Sequence, residues 1–415
     1  MSSKGVFDRY FAFYELNRFL IVVATNIQSV AVAWLVYEVT GQPLSLGLTG
    51  LMQFIPMALL FPIAGWVTDR FSRKWILFLC QLGFLVAALT LYTISRTPIT
   101  SVTPIYLLLL GMGSMRAFMG PAATTCLIDI VGEERYARVI PFHSVVFEIA
   151  TILGPTIGGL LYARTSPHTV FLASSVIFTV AVLSLALVRV GHVARMASSN
   201  RGISSILLGV RYVAKQKILL GAFALDLFAV FFGGVVNLLP VFARDVLHTG
   251  AMGVGLMRSA PSVGAGLMAL YVAFNPIQRK NGRALFVAIF VFGVTTVAFA
   301  FSPHLYVSLA LLAVLGAADM VSVQVRMTTV QLATPPAMRG RVAAVSGLFI
   351  NASNELGEFE SGATAQWWGP RAAAAVGGLI TCGVVAASTK VFPELLAVDR
   401  FDEIRPKEDP EAPLP

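Results

Sequence analysis

The sequence predicts an all-α membrane protein, with twelve transmembrane helices arranged in two pseudo-symmetric bundles of six. Three observations support this fold class: the composition, the lengths of the apolar segments and an internal repeat. Of the 415 residues, 57% are hydrophobic and only 12% are charged, and the mean hydropathy is +0.79. A chain of this length with so little charge is stable in a bilayer rather than in water.

Twelve apolar segments have the length of a membrane span, because about 20 helical residues cross a bilayer core of roughly 30 Å. The predicted spans are 19–39, 46–67, 75–94, 105–130, 139–162, 170–190, 218–242, 253–274, 284–301, 306–332, 342–367 and 372–392. Six of them lie in residues 1–190 and six in residues 218–392. Each half therefore supplies one predicted six-helix bundle.

The distribution of Lys and Arg residues orients the chain. If both termini are cytoplasmic, these residues concentrate in the inner segments, and the outer loops hold only Arg96, Arg164, Arg244 and Arg371. This asymmetry is the positive-inside pattern. It explains most of the net charge of +9 without a nucleic-acid partner, and we expect none. No cleavable signal peptide is apparent, so we expect the first span to serve as the insertion signal.

An internal repeat supports the division into two halves. Shifting the sequence by 206 positions places Arg73 and Lys74 on Arg279 and Lys280, in corresponding inner loops. A shift of 204 positions places Thr124, Thr125, Arg135 and Gly158 on Thr328, Thr329, Arg339 and Gly362. The matches fall at equivalent loops and helices, which is the pattern of a parallel repeat.

Two hydrophilic segments lie outside the spans. Residues 191–217 are basic and serine-rich and include an amphipathic stretch, 203–213. We interpret them as a cytoplasmic linker whose short helix lies on the anionic inner leaflet, and a regulatory site there is the alternative. Residues 393–415 combine acidic residues with prolines, which predicts a disordered cytoplasmic tail.

The loop between the second and third spans carries the sequence GWVTDRFSRK, from Gly65 to Lys74. Here the chain resembles the major facilitator superfamily of transporters, whose signature in this loop is a glycine, then Asp-Arg, then two basic residues. We expect Gly65 to permit a close helix approach and Asp69 to accept hydrogen bonds from a helix N-terminus. In the second half Asn275 replaces the aspartate, so a matching contact there should be weaker.

We expect the basic residues of this loop to pair with carboxylates at the inner end of the fourth span. The basic residues are Arg70, Arg73 and Lys74, and the carboxylates are Asp129, Glu133 and Glu134. Such a cluster is interpreted as a gating latch of an outward-open state. Ordinary positive-inside charge is the alternative, and it is the favoured interpretation of Lys74 alone.

Two further motifs resemble this superfamily. Arg116 and Gly120 form an RxxxG pattern on the fourth span, and Arg116 is predicted near the bilayer midplane, where it needs a partner or water. On the fifth span a GPxxGG pattern resembles a motif associated with proton-coupled exporters. We expect these glycines to pack on the small residues 260–266 of the eighth span, and a mere helix-packing role is the alternative. The pattern consists of Gly154, Pro155, Gly158 and Gly159.

More narrowly, residues 326–331, 335–342 and 356–362 resemble the enterobactin-exporter-like branch of bacterial efflux permeases. The resemblance implies a multi-pass exporter of siderophores, drugs or similar amphipathic molecules in the bacterial inner membrane. It implies antiport against protons by alternating access, in which two halves rock about a midplane cavity.

Ionisable residues inside the spans are candidates for proton coupling. Glu148 is ranked first, because Arg116 lies at a similar depth on the neighbouring span and could form an ion pair with it. A role in tying helices together is the alternative for each candidate. The candidates are Glu148, Asp226, Arg116, Asp319, Glu355 and Glu358.

A set of large or polar residues is expected to line the substrate cavity. We expect a small-molecule substrate and protons as partners, a monomer, and no cofactor. The three cysteines, each inside an apolar segment, predict neither a disulfide framework nor a metal site. The cavity candidates are Met112, Met115, Met119, Phe228, Phe231, Phe232, Asn237 and Asn351.

Other functions are weighed on the same residues. An importer or an uncoupled facilitator remains an open alternative within transport. Glu133, Glu134 and Arg138 form the EExxxR pattern of intramembrane proteases, but the five histidines are scattered at loop ends, so this enzyme is a remote alternative. The sequence contains neither GxxxxGK[ST] nor HExxH, which argues against an ATP-driven pump and a zinc protease.

Overall fold

The computed structural model describes residues 8–190 and 203–404, and these residues form helices and no strand. Ten helical segments among them are long and apolar enough to cross a membrane. The other two predicted spans, in 253–274 and 342–367, are also helical but fall outside that set. Glycine, serine and proline lower the mean hydropathy of the first segment. Several carboxylates lower that of the second.

The chain divides into two compact units, of which unit 1 comprises Met1–Ser199 and Ala243–Ser259. Its central helix is α1, in which Ala24, Ile27 and Val30 are fully buried. Helix α1 packs on α5 and α6, while α2 packs on α4 and α3 on α4 and α6. The helices are α1 (Arg9–Thr40), α2 (Pro43–Arg70), α3 (Arg73–Ile94), α4 (Thr103–Val131), α5 (Glu133–Arg164) and α6 (Pro167–Leu187).

Helix α1 is longer than the predicted first span. The carboxylate of Asp8 accepts a hydrogen bond from the backbone N–H of Tyr10 (2.8 Å) and so caps the N-terminus. The helix ends at Gly41, whose φ of 61° is the left-handed conformation that glycine adopts without steric penalty. Its first ten residues are helical but contain charged and polar side chains. A prediction based on apolar segments therefore begins the span later, at residue 19.

Unit 2 comprises Asn200–Phe242 and Ala260–Pro415. The predicted seventh span is an interrupted helix: α8 ends at Gly233, and a 3-10 turn and a wide helical turn continue to Val246. The helices that follow residue 202 are α7 (Ile203–Lys215), α8 (Lys217–Gly233), α9 (Leu239–Val241), α10 (Gly250–Phe274), α11 (Asn281–Ala300), α12 (Leu305–Ala333), α13 (Arg339–Trp368), α14 (Pro370–Val391) and α15 (Pro393–Leu396).

The amphipathic part of the linker forms α7, and it packs on the protein as well as presenting an apolar surface. Tyr212 and Val213 are buried in the core of unit 2, whereas Leu207 is 61% exposed. A side-chain carbon on Gly209 would lie only 2.9 Å from the carbonyl oxygen of Arg341 on α13. Helix α7 is therefore anchored to α13. The predicted serine-rich turn, 191–202, lies outside the described residues.

Part of the predicted disordered tail is folded. Leu395 on α15 is buried, and the carbonyl oxygen of Asp399 accepts hydrogen bonds from the backbone and side chain of Asn281 (3.2 and 3.0 Å). The buried contact is made by an apolar residue, Leu395, that lies among the acidic ones. A prediction from the overall composition of the tail does not detect it. Residues 405–415, the rest of the predicted tail, lie outside the described residues.

Candidate functional site

A buried ion pair joins two helices of unit 2. Asp226 lies on α8 and Arg326 on α12, and a carboxylate oxygen of the first contacts the guanidinium of the second. Only 8% of the Asp226 side chain and 4% of the Arg326 side chain are exposed. A charge at the centre of a membrane helix costs about 2.5–3.5 kcal/mol on insertion scales unless it has a partner or water. Each charge of this pair therefore depends on the other.

A second carboxylate lies beside this pair. Asp319, Ser322 and Arg326 recur at helical spacing along one face of α12. Asp226, Asp319 and Ser322 line a small cavity with four apolar residues of α8 and α11. The cavity has room for about one water molecule. Two carboxylates thus line a site that a single water could enter, and one of them is paired with the guanidinium of Arg326.

The charges of this group do not balance. Arginine keeps its positive charge at all accessible pH values, so the guanidinium of Arg326 neutralises one carboxylate. With Asp226 and Asp319 both ionised, the group carries one net negative charge, and one added proton makes it neutral. In an apolar interior the neutral state is favoured. We call Asp226, Asp319 and Arg326 the acidic cluster of unit 2.

The two aspartates were predicted as separate candidates, with no contact between them. Arg326 entered only as part of a short motif on the tenth span, so its role as the partner of Asp226 was missed. The seven-residue spacing between Asp319 and Arg326, two helical turns, was a usable signal that they share a face. No spacing in the sequence indicates that Arg326 contacts Asp226, because the two residues lie on different helices.

The predicted gating loop forms only part of its expected contacts. Arg73 at the start of α3 pairs with Asp129 near the end of α4, and both side chains are mostly buried. The guanidinium of Arg70 lies 5.1 Å from the ring centroid of Trp66 instead, a cation–π geometry. Among the described residues no atom would lie within 4 Å of a side-chain carbon on Gly65. The close helix approach predicted for that glycine is wrong in this structure.

Lys74 stabilises a helix end and does not pair with a carboxylate. Its Nζ atom donates hydrogen bonds to the carbonyl oxygens of Ala186 (2.9 Å) and Val188 (2.6 Å), at the C-terminal end of α6. A cation at a helix C-terminus satisfies its free carbonyls and interacts favourably with the helix dipole. The contact explains the position of Lys74 without a role in gating.

The pair proposed between Glu148 and Arg116 is absent from this structure. Arg116 donates a hydrogen bond to the side-chain oxygen of Gln53 on α2 (3.2 Å). Glu148 is half-buried, and no described residue forms a hydrogen bond or an ion pair with it. The two residues lie at similar depths on α4 and α5, but depth alone does not fix the direction in which a side chain points.

Two of the fifth-span glycines contact α1, and a third contacts the predicted eighth-span helix, α10, but at an earlier segment than expected. A side-chain carbon on Gly158 would lie 2.9 Å from the Cα atom of Ile27, and one on Gly154 would meet Val23 and Asn26, all on α1. Gly159 instead faces the first turns of α10, with the carbonyl oxygen of Ala251 at 2.6 Å and the Cα atom of Gly255 at 2.7 Å. The predicted partner segment 260–266 is therefore wrong. Its Gly264 packs on the backbone of Ala313 on α12.

The cavity candidates of unit 1 take different positions. Met112 is 5% exposed, and its sulfur accepts a hydrogen bond from Gln28 (3.3 Å). Met115 packs on Gly83, and Met119 packs on the apolar cluster around Tyr14. These contacts are with the interior of unit 1, so their assignment to a substrate cavity stays a prediction.

The candidates of unit 2 are more polar and more exposed. Phe228 is 45% exposed, and the rings of Phe231 and Phe232 meet edge to face at 4.8 Å. The side-chain amide of Asn237 donates to the backbone carbonyl of Glu358 on α13 (3.1 Å), and that of Asn351 to Gly347 (2.7 Å). Asn351, Glu355 and Glu358 lie along α13 as the helical spacing predicts.

A further buried carboxylate, Glu15, is not among the predicted site residues. Glu15 on α1 is 5% exposed and lies 2.8 Å from Nδ1 of His143 on α5. The residue precedes the predicted first span, and histidines were dismissed as scattered. Helix α1 begins at Arg9, and that extension brings Glu15 into the helical bundle.

Several proteins of named function are similar in sequence to this chain. The model of the transmembrane secretion effector family matches residues 10–411. The multidrug efflux pump Tap of Mycobacterium tuberculosis is 24% identical over 414 residues, which cover 94% of this chain and 97% of the pump. The staphyloferrin A transporter of Staphylococcus aureus is 27% identical over 41% of this chain and 43% of its own length.

Solved structures share the fold at low identity. The nucleoside transporter NupG superposes with a TM-score of 0.76 at 15% identity, covering 92% of this chain and 99% of that chain. A POT family transporter superposes with a TM-score of 0.73 at 10% identity over 95% of this chain and 99% of that chain. These similarities show the fold alone.

Proposed function

Because the chain belongs to the transmembrane secretion effectors of the major facilitator superfamily, we propose that it is a proton-coupled exporter of siderophores, drugs or other amphipathic small molecules. Membership in this family makes it a multi-pass transporter rather than an enzyme. The proposal adds the direction, the coupling ion and the substrate class. Two related proteins, named as a multidrug efflux pump and a staphyloferrin A transporter, support the substrate class. The efflux pump also supports the direction of transport.

The proposed exporter works by alternating access between two six-helix halves, 1–190 and 218–392, with twelve spans in total. Its termini are cytoplasmic, as the positive-inside pattern of the sequence favours. The protein then acts as a monomer in the bacterial inner membrane. In each cycle a proton enters the acidic cluster of unit 2 as substrate leaves.

The observation that carries the proton coupling is the contact of Asp226 with Arg326 beside Asp319. A proton on Asp226 removes the charge that holds Arg326, and the guanidinium must then take Asp319 as its partner. The ion pair thereby moves from between two helices to within α12. Such an exchange of partners alters the contact between α8 and α12, as coupling by a two-state element requires.

The coupling is tested with ethidium as a fluorescent cationic probe in inverted membrane vesicles under an imposed pH gradient. Asp319→Asn is expected to abolish uphill ethidium transport and to retain downhill exchange, because without the Asp319 carboxylate Arg326 has no second partner and cannot release Asp226 to take up a proton. Asp402→Asn is the matched control, since Asp402 is an exposed carboxylate paired with Arg400.

The outcomes separate the proposed function from its alternatives. Wild-type rates in Asp319→Asn would remove this residue from the coupling step, and Glu148→Gln in the same assay tests the other candidate carboxylate. Ethidium transport that ignores the pH gradient even in the wild-type protein would indicate an uncoupled facilitator. Accumulation in the opposite direction would indicate an importer.

A further inference from the structure

The inner half of α1 carries a carboxylate that meets a histidine of α5. The Oε1 atom of Glu15 lies 2.8 Å from Nδ1 of His143. The side chains are 6% and 23% exposed, so the carboxylate is buried and the imidazole is mostly buried. Among the described residues the second oxygen of Glu15, Oε2, has no hydrogen-bond partner. A buried carboxylate with a free oxygen is costly and points to an exchangeable ligand.

A fixed positive charge lies near this pair. Arg18 lies one turn further along α1, and its guanidinium stacks 5.3 Å from the ring centroid of Phe147, one turn from His143 on α5. The same helices carry further charged and polar groups, and Asp129 among them is paired with Arg73. These groups are Tyr14 on α1, Arg116, Cys126 and Asp129 on α4, Arg135, Tyr136, Arg138 and Glu148 on α5, Ser184 on α6, and the amide pair of Asn17 with Gln81 on α3.

The imidazole is the group of this set whose charge can change. With Glu15 ionised, Arg18 charged and His143 neutral, the three groups have no net charge, and a proton on His143 adds one positive charge that the adjacent Glu15 carboxylate stabilises. Histidine is the side chain whose charge ordinarily changes between about pH 5 and 8. A proton on the imidazole turns its hydrogen bond with Glu15 into an ion pair between α1 and α5, and loss of that proton weakens the same contact.

We propose that Glu15 and His143 form a proton-binding site in unit 1, separate from the acidic cluster of unit 2. The ligand is one proton, held by the imidazole against the carboxylate. Its use in the transport cycle rests on the proposed function, whereas proton binding itself does not. The two aspartates of unit 2 line one cavity with residues of α8 and α11, so each site exchanges its proton with its own partners.

Proton binding is measured directly on the full chain labelled with ¹⁵N-histidine and titrated in lipid nanodiscs between pH 5 and 8.5. The His143 signal is identified by its loss in His143→Gln. In Glu15→Gln we expect proton affinity at His143 to fall at least about tenfold, because the opposite charge that stabilised the imidazolium is gone. Glu38→Gln is the matched control: Glu38 is also on α1, but it accepts its hydrogen bond from Tyr162.

A second variant keeps the test decisive if Glu15→Gln folds poorly. Arg18→Gln removes a nearby positive charge and should strengthen proton binding at His143 several-fold. The proposal is overturned if His143 of the wild-type protein does not titrate in this range, or if its affinity is unchanged in both variants. Failure of the proposed function would instead leave these titrations intact while ethidium transport ignores the pH gradient.

Discussion

Units 1 and 2 each bury a carboxylate to a similar degree, but they give it different partners. The Glu15 side chain is 6% exposed and faces His143, whereas that of Asp226 is 8% exposed and faces Arg326. Arginine cannot lose its proton, so Arg326 requires a negative partner in every state. Histidine can be neutral, so His143 needs Glu15 only when it is protonated.

This difference separates two ways in which a proton can act on a helix contact. In unit 1 a proton changes the strength of one contact between α1 and α5. In the coupling step proposed for unit 2, a proton on Asp226 makes Arg326 change its partner, and Asp319 is the carboxylate available on the same helix face. The comparison leads to three predictions, ordered from the largest expected effect to the smallest.

Removing the carboxylate should harm unit 2 far more than unit 1. Asp226→Asn removes the carboxylate that Arg326 contacts in this structure, and breaking a buried pair costs about 3–5 kcal/mol, of which a new pair with Asp319 returns only part. Glu15→Gln leaves a histidine that can become neutral, so the loss should be only about 1–2 kcal/mol. Thermal unfolding of the purified variants measures both losses.

The double variant Asp226→Leu with Arg326→Met sharpens this first prediction. Replacing both members of a buried ion pair by apolar side chains is often neutral or stabilising, so the double variant should regain most of the stability and none of the coupled transport. Equal losses in Asp226→Asn and Glu15→Gln would mean that the identity of the partner does not matter.

The contact between α1 and α5 can also be broken sterically. Gly158→Leu places a side chain against the backbone of Ile27 and should destabilise the protein by about 1–3 kcal/mol. It should also separate Glu15 from His143 and allow a proton leak, without disturbing the acidic cluster of unit 2. Proton leak is followed with a pH-sensitive dye trapped in liposomes.

Gly120→Ala is the matched control for this second prediction. Among the described residues no atom would lie within 4 Å of its added carbon, so the variant should keep wild-type stability and tightness. Tightly coupled exchange and a wild-type unfolding temperature in Gly158→Leu would contradict a mechanical role for the fifth-span glycines.

The smallest effects are expected at the inner loops, which the two units anchor differently. In unit 1 Asp129 pairs with Arg73 through a mostly buried carboxylate, so Asp129→Asn should cost about 1–2 kcal/mol and slow transport. In unit 2 Asp399 holds Asn281 through its main-chain carbonyl. Its side chain accepts one hydrogen bond from the backbone N–H of Lys280 (3.0 Å), which an Asn side chain can also accept, so Asp399→Asn should change stability by less than about 0.5 kcal/mol.

Two further variants test the loop of unit 1 within the same series. Asp69→Asn should slow ethidium transport while leaving membrane insertion intact, whereas Lys74→Ala should lower stability by about 0.3–1 kcal/mol through loss of the α6 cap and spare transport. Thermal unfolding and ethidium efflux measured on the four loop variants give the order. A larger loss of stability in Asp399→Asn than in Asp129→Asn would contradict the proposed difference between the units.

The sequence predicted the fold class and the family well, because both depend on properties that are local in the chain. An apolar segment of span length is visible without knowing its neighbours, and the residues from Gly65 to Lys74 form one continuous motif. Membership in the superfamily is confirmed, and the all-helical membrane character is confirmed in the described residues. The predicted number of twelve spans in two six-helix bundles stays a proposal.

Particular contacts could not be predicted in the same way. The sequence placed Glu148 and Arg116 at similar depths, but the structure directs Arg116 to Gln53. It also assigned the fifth-span glycines to residues 260–266, whereas Gly158 lies on Ile27. Depth follows from counting residues along a helix, but the direction of a side chain follows from the rotation of the helix about its axis, which neighbouring helices set.

By itself, therefore, the sequence determined that this chain is a helical membrane transporter, and it identified Asp226 as an ionisable residue within an apolar segment. Only the tertiary structure decided that Asp226 meets Arg326 and that Glu15 meets His143. Each pair joins residues about 100 or more positions apart on separate helices. Hydrophobicity and helix length are properties of one segment, whereas an ion pair depends on the packing of two, and that packing is fixed by the whole surrounding bundle.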